Sequence, residues 1–273
     1  MFMLTSHKKI MARLSIGLFV SVALLQAAFA EEDDTINPDR PGIADGSNVV
    51  GAGRFQIEAG IQQEFRRNGT LKDRRVFLPT LLRLGIGEQW EARIESNVYT
   101  WQRETDSDAG VSKSQGYAPV SLGVKYHFLD GNGPAQPSLG AILRVFPASG
   151  SNSFRTRHTT GDFRLAADWD FAPDWSLNPN LGVAVYEDGR QQLFSAGLFA
   201  MTLTYSQSKA LSFFVDTGVQ SPEGKNGKTA ITYDAGVAYL ISRDVQLDFS
   251  VGAGTAGVST PRAFLSAGIS VRF

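Results

Sequence analysis

Apolar and polar residues alternate with a period of two through most of the chain beyond residue 53. In a β-strand, successive side chains point to opposite faces of the sheet, so each such segment has one apolar face and one largely polar face. The last eleven residues show this most clearly, with an apolar set of Ala263, Leu265, Ala267, Ile269, Val271 and Phe273. Eleven earlier segments repeat the pattern, at about 54–66, 75–86, 89–100, 118–128, 137–146, 161–171, 175–186, 194–205, 210–220, 229–240 and 245–254. Together with 262–273, they predict an all-β chain of twelve strands.

A soluble sheet would alternate in the same way, but the connections between the segments favour a membrane barrel. Longer connections mostly alternate with shorter ones, beginning with a long one at 67–74, and the longest are 102–117 and 147–160. Bacterial outer-membrane barrels have an even number of strands, long external loops and short periplasmic turns. Because lipid offers no hydrogen-bond partners to a sheet edge, the first strand must pair with the last. We therefore expect residues 53–273 to form a closed antiparallel transmembrane β-barrel.

Charged side chains show which face of each strand is turned toward the interior. On the third segment, Glu91, Arg93 and Glu95 share one face, and Trp90 lies on the other with Ala92, Ile94 and Val98. A cation near the bilayer midplane costs about 2–4 kcal/mol, so the charged face must line the lumen. The same rule gives these lumen-facing, pore-lining candidates: Glu58, Arg83, Glu91, Arg93, Glu95, Lys125, Arg144, Arg164, Asp168, Asp216, Asp234 and Asp248. It turns these toward lipid: Leu82, Leu84, Val124, Leu143, Leu165, Val215, Val237 and Leu247.

The eighth segment fits poorly, because Leu198 interrupts the outward set of Phe199, Met201, Leu203 and Tyr205. Aromatic side chains near the predicted strand ends are interpreted as girdles at the headgroup level. They are Trp90, Trp101, Tyr126, Trp169, Phe171, Trp175 and Phe273.

The N-terminal fifty residues lack the alternation. Residues 1–30 have a basic start, an apolar run at 14–25 and the small-x-small triplet Ala28-Phe29-Ala30, which predict a secretory signal peptide rather than a retained anchor. Residues 31–52 are acidic and then rich in turn formers, and we expect a periplasmic entry segment or a mobile tail. Within it, Asp39 and Arg40 are expected to form a solvated charge pair.

Short motifs in the chain are similar to those of a known family. Asp39-Arg40-Pro41, the run from Gly53 to Gly60, and Trp90-Glu91-Ala92-Arg93 resemble an outer-membrane transporter family named for the meta-pathway of phenol degradation. The resemblance implies a barrel in the outer membrane of a Gram-negative cell and passage of apolar or aromatic compounds. The last strand, ending in Phe273, resembles the C-terminal signal by which such barrels meet the barrel-assembly machinery.

Composition excludes several other functions. The chain has no cysteine, and its formal charge of −1 gives no basic surplus for nucleic acid. A lipid hydrolase would need a serine–histidine pair, and beyond residue 30 there are only His127 and His158. Neither a metal nor a cofactor site is predicted. Asp106 and Asp108 could bind calcium loosely, but an acidic solvated loop is the simpler interpretation.

Two functions remain open. The inward charges either line a polar pore for small solutes, with weak ion selectivity because their signs are mixed, or they pair with one another. In the second case the barrel has a structural or ligand-binding role with a lumen closed by charge pairs.

Overall fold

A computed structural model describes residues 34–256 and 260–273, so the predicted signal peptide lies outside the described residues. The described ranges contain thirteen β-strands and no helix able to span a membrane. The strands are β1 (Phe55–Asn68), β2 (Leu71–Ile86), β3 (Trp90–Asp106), β4 (Gly110–Gly116), β5 (Ser121–Leu129), β6 (Ser138–Phe146), β7 (Thr160–Ala172), β8 (Trp175–Glu187), β9 (Leu193–Ser206), β10 (Leu211–Ser221), β11 (Ala230–Ser242), β12 (Val245–Ala256) and β13 (Ala263–Arg272).

All strand pairings are antiparallel, and they close on themselves. β1 pairs with β2 on one side and with β13 on the other, and consecutive neighbours complete the ring. β4 and β5 pair with successive halves of the long strand β3, so these two short strands occupy one position. The barrel therefore has twelve strand positions, and the predicted closed antiparallel barrel is confirmed.

The seam between β1 and β13 runs from Phe65 and Ala263 to the end of the barrel that carries Phe55 and Phe273. The backbone amides of Phe55 and Phe273 each donate to the carbonyl of the other, at 3.2 and 2.8 Å. Their rings stack with centroids 6.4 Å apart, and Phe273 is 69% exposed on the outer surface. We call this the terminal end and the opposite one the loop end. In bacterial barrels the terminal end faces the periplasm.

The expected outer loops at 67–74 and 102–117 are wrong. β1 and β2 continue to a tight turn at Gly69 and Thr70, and β3 and β4 continue to a turn at 107–109. Both hairpins extend into a polar zone, where Arg103 opposes Lys113 and neither strand face is apolar. The strands remain hydrogen-bonded in this zone. Because water contacts both faces there, apolar and polar residues do not alternate, and the sequence pattern did not identify these residues as strands. The connection at 147–159 is a true loop.

The outer surface carries many exposed aliphatic and aromatic side chains. Exposed side chains include Leu84, Val124, Leu143, Leu165, Val215 and Leu247. Near the terminal end, aromatic rings pair within and between strands, with Trp90 over Tyr126 at 4.4 Å and Trp175 against Tyr205 at 4.9 Å between centroids. This is the arrangement of an aromatic belt at a membrane interface.

Replacing Val124 with arginine tests the lipid-facing surface. Val124 is exposed between Ala92 on β3 and Leu143 on β6, so the cation would meet hydrocarbon. We expect the free energy of unfolding to fall by about 2–4 kcal/mol, measured by denaturant titration in lipid vesicles. Val124→Ile is the matched control and should change stability little. Equal stability of the arginine and isoleucine variants would contradict a lipid contact at this position.

Candidate functional site

Residues 35–50 cross the interior of the barrel, and we call them the inner segment. The segment begins at the terminal end, where the amide of Ile36 donates to the carbonyl of Arg243 at 2.7 Å. It ends on β3, where the amide of Val50 donates to Glu91 at 3.1 Å. Ile36, Ala44 and Val50 are buried. The segment therefore occupies the lumen between its entry at the terminal end and the start of β1.

Asp39 lies at the centre of this segment and meets three cations of the wall. Both of its carboxylate oxygens accept from the Lys125 ammonium at 3.0 Å. Arg93 donates to it directly, and the guanidinium of Arg83 lies 3.8 Å away. Arg93 is 2% exposed and Lys125 is 0% exposed, so these cations depend on protein anions for compensation.

Arg40 turns to the other side of the lumen. Its guanidinium pairs with Asp248 on β12 at 2.9 Å and donates to Ser266 on β13 at 3.0 Å. A Cβ atom on Gly60 would lie 2.7 Å from both this guanidinium and the carbonyl oxygen of Ala267, so that position needs glycine. A Cβ atom on Gly268 would lie 2.5 Å from the guanidinium and would displace it. The expectation of a solvated Asp39–Arg40 pair is wrong, because each charge is paired with the barrel wall instead.

Asp45 makes a second set of ion pairs farther along the segment. It pairs with Arg93 at 3.1 Å and with Arg164 at 3.3 Å, and its amide donates to Asn180 at 2.8 Å. Arg144 lies 3.7 Å from the same carboxylate. The inner segment is thus held by charges from β3, β6 and β7 as well as by β8.

Wall residues complete the cluster. Arg83 bridges Glu58 at 2.9 Å and Glu91 at 2.8 Å. Arg144 pairs with Asp162 at 3.0 Å and with Glu95 at 3.3 Å. We define the charge network as Asp39, Arg40, Asp45, Glu58, Arg83, Glu91, Arg93, Glu95, Lys125, Arg144, Asp162, Arg164 and Asp248.

Nine of the twelve lumen-facing candidates thus meet in the charge network, and three do not. Asp168 accepts from the amide and hydroxyl of Ser47, at 2.7 and 2.6 Å. Asp216 and Asp234 form no ion pair within the described ranges. Four network or neighbouring residues were missed by the sequence: Asp45, Ser47, Asp162 and Asn180. Asp162 lies two residues before Arg164 on the same strand face, so the alternation could have identified it as lumen-facing. Asp45 and Ser47 lie in an irregular segment with no periodic pattern that could have identified them.

Cavities lie on both sides of the inner segment. The loop-end cavity has a volume of about 400 Å³ and includes apolar side chains from Ile43, Leu198 and Phe264. The terminal-end cavity has a volume of about 330 Å³. Pro41 and Gly42 line both cavities, so the inner segment separates them. The irregularity at Leu198 is explained, because this side chain belongs to the interior face of β9.

The 147–159 loop packs across the loop end beside β4. Its Ser151 amide donates to the carbonyl of Tyr117 at 3.0 Å. Glu187 accepts from the amides of Arg157 and His158 and from the His158 ring, at 3.0, 2.8 and 2.8 Å. Burial alone would raise the pKa of Glu187, but these donors lower it below its ordinary value. Glu187 therefore stays ionised and anchors the loop.

His127 and His158 both contact carboxylates. His127 contacts Asp130 at 2.9 Å and the carbonyl of Ser47 at 3.3 Å, and His158 contacts Glu187. Within the described ranges, neither ring hydrogen-bonds to a serine hydroxyl.

A closed twelve-position barrel with an apolar exterior and an ionised interior defines an outer-membrane β-barrel protein. Residues 38–273 match the family described as the putative MetA-pathway of phenol degradation, and the chain belongs to this family. No curated protein matches the sequence.

Solved structures show the same fold. An outer membrane channel from Pseudomonas putida F1 is 13% identical with a TM-score of 0.63, and the likeness covers 90% of this chain and 100% of that one. The KdgM porin is 12% identical with a TM-score of 0.52, over 80% and 99% of the two chains. The β domain of the Bordetella autotransporter BrkA is 15% identical with a TM-score of 0.51, over 80% and 98%. None of these three is named as an enzyme.

Proposed function

We propose that the protein passes small molecules passively across the outer membrane and that the inner segment closes the lumen between passages. The observation that supports this most directly is the pair of cavities, one on each side of the inner segment, with Pro41 and Gly42 lining both. Displacing this one segment would join them. The lumen-facing charges would then line the path that a solute follows.

Three further observations support passage. The solved structures of similar fold include proteins named as a channel and a porin. The loop-end cavity combines the charged edge of Arg164 with the apolar surfaces of Leu198 and Phe264, a mixture that suits small solutes with an aromatic or aliphatic part. The family description, a pathway of phenol degradation, agrees with aromatic compounds as the solute class.

The alternative is a structural or ligand-binding barrel that stays closed. The density of buried ion pairs around Asp39 and Asp45 favours it, because moving the inner segment would separate several charges at once. We propose no catalytic step for either function. The exposed Phe273, which directly follows β13, supports recognition by the barrel-assembly machinery during insertion.

Reconstitution in planar bilayers distinguishes the two functions. We expect the purified barrel to give discrete conductance steps that are rare, because the closed arrangement is the stable one. Small aromatic acids added on the loop-end side should reduce the open current more than sugars of equal size. An absence of steps, both in the native chain and in a variant whose inner segment is loosened, would support the closed structural role and contradict passage.

A further inference from the structure

Four oxygen-bearing side chains lie together on β9, β10, β11 and β12, apart from the charge network. Thr202 on β9 and Asp234 on β11 are both strand partners of Asp216 on β10. Ser250 on β12 lies two residues from Gly252, which is the strand partner of Asp234. Side chains directly opposed across an antiparallel pair have Cβ atoms about 4.5–5.5 Å apart, so the two carboxylates are close neighbours. We call these residues the four-oxygen cluster.

Each member of the four-oxygen cluster is at least nine-tenths buried, and Ser250 is 1% exposed. One oxygen in each makes no hydrogen bond of ordinary geometry, namely Thr202 Oγ1, Asp216 Oδ1, Asp234 Oδ1 and Ser250 Oγ, although the four side chains lie close enough to interact with one another. Buried charges in proteins are paired or bind metals, so two opposed carboxylates with no cation beside them indicate a missing partner. That partner must supply positive charge or hydrogen-bond donors.

Asp216 and Asp234 lack the cationic partner or the set of hydrogen-bond donors that each other acid described above in the lumen wall has. Glu58, Glu91, Glu95, Asp162 and Asp248 each face an arginine, and Asp168 accepts several hydrogen bonds. Asp216 receives one backbone donor, the amide of Ile43 at 2.9 Å, and in the described ranges no lysine or arginine pairs with Asp216 or Asp234. Like charges directly opposed across strands destabilise a sheet.

Oxygen ligands select hard cations. Two carboxylates balance one divalent ion, and the two hydroxyls with water can complete its coordination. Calcium accepts irregular oxygen geometry, whereas magnesium requires a near-ideal octahedron and gives up its water reluctantly. Asp234 and Ser250 also line the loop-end cavity, so a hydrated ion can enter from that side. The described residues contain no group of three or more histidine, cysteine and carboxylate ligands, so the two hydroxyls and water would have to supply the remaining ligands here.

We propose that the four-oxygen cluster binds one calcium-class divalent cation in the wall of the lumen. The ion would neutralise Asp216 and Asp234 and engage the hydroxyls of Thr202 and Ser250. Because Asp216 also accepts from the Ile43 amide, the ion holds in place a carboxylate that anchors the inner segment. Binding of calcium and docking of the segment therefore support one another.

Calorimetric titration of the chelator-stripped barrel in detergent with calcium chloride tests the proposal. We expect one saturable site per barrel with a dissociation constant of about 10⁻⁴–10⁻³ M, the range of extracellular calcium modules. Asp234→Asn and Asp216→Asn should each weaken binding at least about tenfold, because ligand charge sets the affinity of such sites. Ser250→Ala should weaken it less, and magnesium should compete poorly.

Glu64→Gln is the matched control, because it removes a buried acid on β1 that lines the same cavity and pairs with Arg66, outside both the four-oxygen cluster and the charge network. It should bind calcium as the native chain does. Heat-modifiable gel mobility should show that each variant is a folded barrel. An absence of saturable binding at neutral pH in the native chain would overturn the proposal, since the two acids would then be sharing a proton. Native affinity in both asparagine variants would also overturn it.

Discussion

Replacing Asp39 with asparagine is expected to increase the fraction of time that the barrel conducts by at least about tenfold. The substitution removes the anion that Arg83, Arg93 and Lys125 share, while the three cations remain buried. Breaking a buried ion pair by removing one partner costs about 3–5 kcal/mol. The three cations then repel one another around the inner segment, and its docked position loses its main attraction. Since about 1.4 kcal/mol changes an equilibrium tenfold, even part of this cost shifts the balance toward an open lumen.

Single-channel recording in planar bilayers measures this effect as open probability. Asp106→Asn is the control, because Asp106 lies at the exposed β3–β4 turn and its contacts are with neighbouring loop residues. Its open probability should equal that of the native chain. If Asp39→Asn and Asp106→Asn behave alike, the charges around Asp39 do not keep the lumen closed.

A pair of cysteines at positions 47 and 138 is expected to abolish conductance when oxidised and to restore it when reduced. The hydroxyls of Ser47 and Ser138 lie 2.7 Å apart, on the inner segment and at the start of β6. Because a disulfide joins sulfurs at about 2.05 Å, small side-chain adjustments suffice to form one here. The native chain has no cysteine that could compete for pairing. The bond ties the segment to the wall covalently, so the cavities stay separated.

Combining this cysteine pair with Asp39→Asn makes the experiment more decisive. Oxidation should silence a channel that is otherwise frequently open, and a reducing agent should restore the current within one recording. Ser138→Cys alone, which cannot form the bond, should respond to neither treatment. Continued current through the oxidised double cysteine variant would mean that solutes bypass the inner segment.

The barrel itself could be predicted because one face of each strand contacts lipid and the other faces the lumen, and these surroundings determine which residue types occur on each face. Hydrocarbon excludes charge at every second residue, so Trp90 and Glu91 on β3 are assigned to opposite faces without further information. Closure follows from the cost of an unpaired edge in lipid. The prediction failed where this constraint ends, at the polar extensions of β3 and β4, where water lies on both faces.

The contents of the lumen could not be predicted in the same way. Asp39 meets Lys125 across 86 positions of sequence, and the inner segment has no periodic pattern to indicate its partners. The alternating pattern predicted that Lys125 faces the lumen, but it did not predict that Asp39 is the anion that neutralises it. Leu198 is the opposite case. An apolar residue on an interior strand face breaks the expected alternation, and only the adjacent loop-end cavity explains why it is there.

The inner segment enters the barrel at the terminal end beside Arg243 and continues directly into β1, without being a strand of the wall. No β-ladder includes residues 35–50, so drawing them out toward the periplasm would leave the strand pairing of the wall untouched. Permeability and mechanical integrity are thereby assigned to different parts of one chain. The envelope can remain sealed around the protein whichever position this segment takes.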